Sequence, residues 1–173
     1  AWVQDASSKY REASTSAVIN DISARVYHNA DQTWAAQTWL TTAFNSERFD
    51  TSVIHDTATN NSRLTVPTGK EGKYLIFTSL APNHGGGNTG FTVQFLLNGT
   101  TVIAQTFNRE NVAEHYIELS TSYNLSANDY VQVQVFNHDA AATATMKTYG
   151  NYSPEFGMVY LSPSSSPYVI TQE

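Results

Sequence analysis

The sequence contains no cysteine, so the chain forms no disulfide bond and offers no thiolate to a metal ion. Stability must therefore come from packing of the core and, we infer, from association with other chains. A length of 173 residues suits one domain with a substantial core, because two domains would each be small.

Charge is also scarce in this chain. Only 14% of the residues are charged, and the nine lysines and arginines are outnumbered by fifteen acidic residues, which gives a net charge of −6. Because phosphate binding needs clustered basic side chains and these are scattered, we expect no nucleic-acid partner. Ser, Thr and Asn fill much of the remaining surface, a composition that suits an extracellular or virion-exposed sheet protein.

Long apolar runs are missing too. The longest, such as residues 74–77, are far too short to cross a bilayer, and the first residues, AWVQD, lack a basic and apolar leader. We expect no membrane partner. An alanine at position 1 is also what removal of an initiator methionine leaves, which favours assembly in the cytoplasm into a larger particle.

Signatures of catalysis are absent from the sequence. It has no Gly-x-Ser-x-Gly elbow, and its five histidines never take the His-Glu-x-x-His spacing of zinc enzymes. His55 and Asp56 are the most suggestive acid–imidazole pair, although a hydrogen bond that stabilises a loop is the simpler interpretation. Glu110, Glu114 and Glu118 are the densest acidic cluster, but this spacing exposes them separately and not as the facing pair of a glycosidase. We predict a protein that is not an enzyme.

Motifs for metals and cofactors are equally incomplete. Asp50 and Asp56 can offer carboxylates to a hard cation, but they lack the dense ligand spacing of a calcium loop. The glycines at residues 85–87 lack the Lys-Ser/Thr pair that completes a phosphate loop. We predict no metal site and no cofactor.

From about residue 24 onward, short segments of alternating polar and apolar residues recur between turn residues, a pattern typical of an all-β sandwich. Asn98-Gly99 is a two-residue hairpin signal between two such segments. Residues 116–119 and 131–135 are expected to form a second pair. The count indicates a two-sheet antiparallel jelly roll of about nine or ten strands, at residues 24–29, 38–44, 62–66, 73–79, 91–97, 102–107, 116–119, 131–135 and 155–161.

Three segments do not follow this strand rhythm. We predict an N-terminal arm at residues 1–23, a flexible loop at residues 81–90 and a Ser/Pro-rich tail at residues 162–173, which leaves the jelly-roll domain at residues 24–161. Polar termini without a core of their own fray unless something holds them, so we expect neighbouring subunits or a particle surface to order both arms.

The stretch from Glu47 to Leu80 carries a family resemblance. An aromatic-aspartate pair is followed by a polar loop, a strand, a Pro-x-x-Gly-like turn and a Gly-x-Tyr strand, and the matching residues are Phe49, Asp50, Pro67, Gly72 and Tyr74. This order resembles the C1q and tumour necrosis factor superfamily. Residues 24–27 and 153–161 are similar to its first and last strands, so the resemblance covers roughly residues 24–161. Within this superfamily, the sequence most resembles C1q-like domains of bacteriophage and bacterial structural proteins.

The resemblance implies a homotrimer, because domains of this superfamily pack through the sheet that holds the first and last strands. It places Tyr27, Tyr74, Tyr116 and Tyr160 near subunit contacts, with ordinary core packing as the alternative for each. Further contacts with partners are expected from Trp2 on the arm and from His84 and Asn88 in the loop at residues 81–90. Trp39 is expected to be at least partly buried.

These expectations favour a non-enzymatic structural protein on the surface of a bacteriophage virion. The leading hypothesis is a capsid decoration protein whose arms clasp neighbours, including the major capsid protein. A tail fibre or spike head that binds a host receptor or glycan is the first alternative. A secreted C1q-like or cytokine-like binding protein, located outside the cell, is the second, and a carbohydrate-active enzyme is the last.

Overall fold

The structure, a computed structural model, describes residues 21–84, 89–110 and 112–164. This part of the chain forms thirteen β-strands, and within it there is no helix long and apolar enough to span a membrane. The strands are β1 Ser23–Tyr27, β2 Gln32–Trp34, β3 Trp39–Thr41, β4 Ser46–Asp50, β5 Arg63–Thr65, β6 Gly72–Leu80, β7 Pro82–His84, β8 Thr89–Leu97, β9 Thr101–Glu110, β10 Ile117–Leu125, β11 Tyr130–Asn137, β12 Ala144–Met146 and β13 Glu155–Ser162.

Two five-stranded antiparallel sheets make up the body of the fold. The front sheet has the order β10-β6-β13-β1-β4. In the back sheet, β3 and β5 both pair with one edge of β11, which is followed by β8 and β9. A small third sheet joins β2, β12 and β7. The predicted all-β, two-sheet antiparallel jelly roll is therefore confirmed.

The core lies between the two sheets because alternate residues of the central strands point inward. Strand β11 buries every second residue, and β6 does the same from Gly72 to Leu80. The largest fully buried side chains are Phe44, Ile54, Leu64, Tyr74, Ile76, Leu80, Phe91, Phe95, Leu125, Met146, Phe156 and Met158. Since the same alternation leaves the other residues outward, each sheet also presents one face to solvent.

Turn chemistry fixes the hairpin between β8 and β9. Asn98 and Gly99 have φ angles of 52° and 73°, the left-handed values that a two-residue hairpin turn of the primed type needs. Asn98 also accepts a hydrogen bond from the Tyr130 backbone N–H at 2.9 Å. The hairpin predicted from Asn98-Gly99 is confirmed.

Two sequence predictions about strand pairing and loops are wrong. Strand β10 does not pair with β11, because β10 pairs with β6 in the front sheet and β11 pairs with β8 in the back sheet. The expected flexible loop at residues 81–90 begins with a strand of the third sheet, Pro82–His84, in which Pro82 and His84 are buried. The extra strands beyond the predicted nine or ten are short, and three to five residues carry too little alternation to be recognised.

The chain enters and leaves the front sheet side by side. Strand β1 begins at Ser23, and the carbonyl oxygen of Ile22, which is buried, accepts a hydrogen bond from the Tyr160 N–H at 2.9 Å. Strand β13 ends at Ser162. Residues 1–20 and 165–173, which hold most of both predicted arms, lie outside the described residues.

Candidate functional site

The solvent-facing side of the front sheet, which we call the front face, carries apolar side chains on its central strands. Leu75 and Phe77 of β6 point away from the core because they alternate with buried residues. Leu75 pairs with Val159 of β13 in the sheet register. Phe49 lies on β4, the edge strand of the same sheet, where it pairs with Arg25 and is 45% exposed. Apolar side chains gathered on one exposed sheet face mark a surface for association.

A buried carboxylate organises the charged part of the front face. Glu155 has a side chain only 2% exposed and accepts hydrogen bonds from Arg25 Nε at 2.9 Å and from Arg48 Nε and Nη2 at 3.0 and 2.8 Å. The Arg48 guanidinium also lies 3.8 Å above the ring centre of Tyr27. Paired and hydrogen-bonded on both sides, the carboxylate holds the two arginines in fixed positions.

The same two arginines fix the loop before β13. Arg25 donates to the carbonyl oxygen of Asn151 at 2.9 Å, and Arg48 donates to that of Gly150 at 2.6 Å. A shallow depression of about 280 Å³ opens beside this network and is lined by Arg25, Phe77, Ser79, Glu118, Ser120 and Glu155. This volume is large enough to hold one amino-acid side chain.

The four tyrosines predicted near subunit contacts lie in different settings. Tyr27 is half-buried on the front face, where it pairs in register with Glu155. Tyr74 is fully buried in the core of the single chain, and its hydroxyl donates to the Lys70 carbonyl oxygen at 2.6 Å. Tyr160 packs edge-on against the Tyr74 ring at 5.3 Å. Burial raises the pKa of Tyr74 to about 12, and core packing is the interpretation that its position supports.

Tyr116 belongs to a tyrosine cluster at the end of the front sheet where β10 begins. It is 62% exposed, and its ring and that of Tyr149 lie 6.5 and 5.8 Å from the ring of Tyr152. The carboxylate of Glu114 accepts hydrogen bonds from the hydroxyls of Tyr116 and Tyr149. These bonds lower the pKa of Glu114 and raise that of Tyr149 to about 12. Tyr149 and Tyr152 were not predicted as site residues, although the motif Tyr-Gly-Asn-Tyr is present at residues 149–152.

The predicted contact residues of the loop and arm give a different result. His84 is 1% exposed, with its ring 5.4 Å from that of Phe91 and 5.3 Å from that of His115. A side chain buried in this way does not serve as the surface contact that was expected of it. Asn88 and Trp2 lie outside the described residues. Trp39, expected to be partly buried, is 42% exposed and packs on Phe136.

The His55 and Asp56 pair is part of a loop that is held by hydrogen bonds. His55 Nδ1 lies 3.0 Å from a carboxylate oxygen of Glu47, and the His55 backbone N–H donates to Asp50 at 2.9 Å. Asp56 instead accepts from the backbone N–H groups of the next turn, which lower its pKa. Among the described residues, no three His, Asp or Glu side chains are grouped so that they could share a metal ion.

The central residues of the front face were not predicted from the sequence. The signal was present in residues 74–77, where the outward positions are as apolar as the inward ones. This run was predicted only as part of a strand at residues 73–79. The convergence of Arg25, Arg48 and Glu155 had no local signal, because more than 100 residues separate the arginines from the glutamate.

Comparisons with known proteins agree on the fold. No family model and no curated protein matches the sequence. The structure is similar to the Eiger TNF of S. frugiperda, with 16% identity over 88% of this chain and 98% of that one and a TM-score of 0.63. It is similar to murine APRIL at 11% identity, 80% and 98% coverage and a TM-score of 0.58. It is also similar to the globular domain of the zebrafish complement 1qA protein, with 14% identity over 82% of this chain and 98% of that one and a TM-score of 0.54. The chain therefore has a C1q- and TNF-like jelly-roll fold, and the predicted resemblance is confirmed at the level of fold.

Proposed function

We propose that this C1q- and TNF-like jelly roll is a non-enzymatic structural and adhesive domain that assembles as a homotrimer through its front face. The observation that carries the proposal is the set of apolar side chains, Leu75, Phe77, Val159 and Phe49, on the solvent-facing side of the sheet that holds the first and last strands. An interface of this kind must cover roughly 600 Å² or more on each chain to be stable, and a five-stranded sheet face offers an area of that order.

The absence of enzymatic activity is supported by the settings of the acidic side chains. The carboxylate of Glu155 is held by two arginines, and that of Glu114 accepts from two tyrosines. Glu118 lines the same depression as Glu155, but the Glu155 carboxylate is 2% exposed and is engaged by both arginines, so it is not open to a substrate as a glycosidase carboxylate must be. The C1q- and TNF-like fold adds support by analogy.

The second part of the proposal is where the trimer is located and what it contacts there. We place the trimer on the surface of a bacteriophage virion, as a capsid decoration protein whose arms, residues 1–23 and 162–173, clasp neighbours such as the major capsid protein. The support is the sequence: polar segments at residues 1–23 and 162–173 flank a domain whose sequence is rich in Ser, Thr and Asn. A receptor-binding head of a fibre or spike is the second candidate, and the exposed aromatic side chains of the back sheet favour it.

The assembly is tested by substitution on either sheet. Leu75→Asp puts a charge into the proposed interface, whereas the matched control Val102→Asp puts the same charge on an exposed residue of the back sheet, 48% exposed against 37% for Leu75. Light scattering should give single chains for Leu75→Asp and trimers for Val102→Asp. Equal masses for both variants would contradict assembly through the front face.

Deletion of residues 1–20 distinguishes a capsid decoration protein from a receptor-binding head. The shortened chain should still fold, because it keeps Ile22, which is buried in the core. A decoration protein without this arm should lose its binding to the shell and the thermal tolerance that it gives the particle. A receptor head without the arm should still adsorb to cells as an isolated trimer.

A further inference from the structure

Four aromatic rings form a continuous row across the solvent-facing side of the back sheet. This aromatic strip consists of Trp39 on β3, Phe136 on β11, His138 just after β11 and Phe107 on β9. Successive ring centroids lie 5.1, 4.6 and 5.1 Å apart. Trp39 and Phe107, at the two ends, are 42% and 54% exposed. Exposed aromatic rings gathered in one row of a sheet face are a feature that the fold itself does not require.

A row of hydrogen-bonded amides runs beside the aromatic strip. In this amide ladder, Gln105 donates to Gln94 at 3.0 Å, Gln94 donates to Gln134 at 2.9 Å, and Gln134 donates to the Thr41 hydroxyl at 3.0 Å. Each glutamine has two N–H groups and a carbonyl oxygen with two lone pairs, so each link uses only part of the capacity of its amide. Gln105 is exposed and Gln134 is half-buried, so both present donors and acceptors to solvent.

The two rows share one face because their members are two residues apart on the same strands. Trp39 precedes Thr41 on β3, and Gln134 precedes Phe136 on β11. On β9, Gln105 precedes Phe107, opposite Gln94 and Thr92. The rows cross four strands at about 4.8 Å each, which gives a length of roughly 14 Å from β3 to β9.

Neither row contains a carboxylate, an ammonium or a guanidinium group. The one titratable side chain is His138, which is hydrogen-bonded to Thr92 at 2.8 Å and whose pKa is lowered by burial. A lowered pKa favours the uncharged imidazole, and the whole chain has a net charge of −6. The two rows themselves offer no positive charge to an anionic ligand. The nearest cations on this face are Arg109, two residues after Phe107 on β9, and Arg63, which pairs with Gln132, so the rows themselves fit an uncharged partner.

We propose that the aromatic strip and amide ladder together bind an extended, neutral oligosaccharide. A pyranose ring has an apolar C–H face, which stacks on exposed aromatic rings, and a rim of hydroxyls that both donate and accept hydrogen bonds, as amides do. Because the rows extend over four strands, the ligand is a chain of several sugar units and not a single one. This assignment gives the adhesive part of the proposed function a ligand class, and since it uses the back sheet it can fail without the trimer failing.

The experiment titrates the full chain with neutral hexasaccharides and follows binding by calorimetry and by tryptophan fluorescence. Cellohexaose, laminarihexaose, chitohexaose and mannohexaose are the probes, and an oligogalacturonate of the same length is the anionic control. We expect at least one neutral hexasaccharide to bind, and the oligogalacturonate not to bind. Binding to none of the four, or stronger binding of the oligogalacturonate, would overturn the proposal.

Substitutions locate the site. Trp39→Ala and Phe107→Ala should each weaken binding at least about tenfold, since exposed aromatic anchors carry much of the energy of such sites. Gln105→Ala should weaken it less. Tyr152→Ala removes an equally exposed aromatic, 50% exposed, from outside the back sheet and should leave binding unchanged. The proposal is wrong if the first two variants, still folded by circular dichroism, bind as well as the unaltered chain. It is also wrong if they change the oligomer mass, because the strip would then be an interface between chains.

Discussion

The ring of Phe77 occupies the space that a side chain at position 157 would need. Gly157 and Phe77 pair across β13 and β6, and a Cβ built on Gly157 would lie 2.2 Å from Phe77 Cζ. Glycine in a strand interior commonly marks such a close approach. An aromatic ring over a strand glycine covers backbone that would otherwise be exposed and helps to pin the register of the two strands.

Gly157→Ala is therefore expected to destabilise the fold by about 1–3 kcal/mol, because the ring must move or the two strands must separate. Urea unfolding of the purified protein measures the change. The same substitution in a Phe77→Ala background should cost much less, since the clash is gone. An equal cost in both backgrounds would show that the ring does not cover the glycine.

Val53→Asn is expected to stabilise the protein by about 1 kcal/mol. Val53 has a φ of 55°, a left-handed conformation that a β-branched residue adopts only under strain and that asparagine tolerates. Its side chain is 87% exposed, so little packing is lost. The reverse substitution at Asn128, which has a φ of 67°, should destabilise by a similar amount. Thermal unfolding of both variants measures the two effects, and shifts of the same sign would contradict the backbone explanation.

Glu155→Gln is expected to cost about 2–3 kcal/mol, because it removes the charge that holds two arginines from a side chain 2% exposed. The cost stays below that of a fully buried pair because Arg25 and Arg48 are 38% and 26% exposed. Asp31→Asn is the control. It breaks an exposed ion pair with Lys147 and should cost less than about 1 kcal/mol in the same denaturant experiment.

Alkaline titration tests the tyrosine cluster. The hydrogen bond to Glu114 raises the pKa of Tyr149 to about 12, so its stabilising contribution is complete below the ordinary value of 10.0 and is lost as pH rises through about 12. Glu114→Gln should bring the pKa of Tyr149 down toward its ordinary value. The pKa of Tyr74, raised to about 12 by burial first of all, should not change. Ultraviolet absorbance of the phenolates as the pH rises distinguishes the titration of Tyr149 from that of Tyr74. A titration of Glu114→Gln identical to that of the unaltered chain would contradict the hydrogen bond between Glu114 and Tyr149.

The parts of the fold that depend on local sequence were predictable. Asn98-Gly99 specifies its hairpin, and the alternation along β6, β8 and β11 predicts strands with one buried side. The pairing of β10 with β6, and not with β11, was not predictable, because both strands have an apolar side and the choice depends on which sheet each one joins. His84 was misjudged for a similar reason: three residues of strand beside a glycine run read as loop.

The candidate sites were less visible because each is assembled by register between distant strands. Gln94, Gln105 and Gln134 are unremarkable polar residues in the sequence, and they become a ladder only when β9, β8 and β11 align. Glu155 has no distinguishing signal in the sequence, and it meets Arg25 and Arg48 only because β1 and β4 bring these arginines to it. Alternation shows that a strand has two different sides, but it does not show which side another strand or another chain covers. The exposure of side chains on the outer faces of the sheets therefore cannot be deduced from alternation alone.

The mass of the unaltered chain in solution tests the central claim most directly. Light scattering across a dilution series should give three times the chain mass of 19.1 kDa, because we propose that sister copies cover the apolar front face. A single-chain mass at every concentration, for a protein that circular dichroism shows to be fully folded, would contradict assembly through the front face.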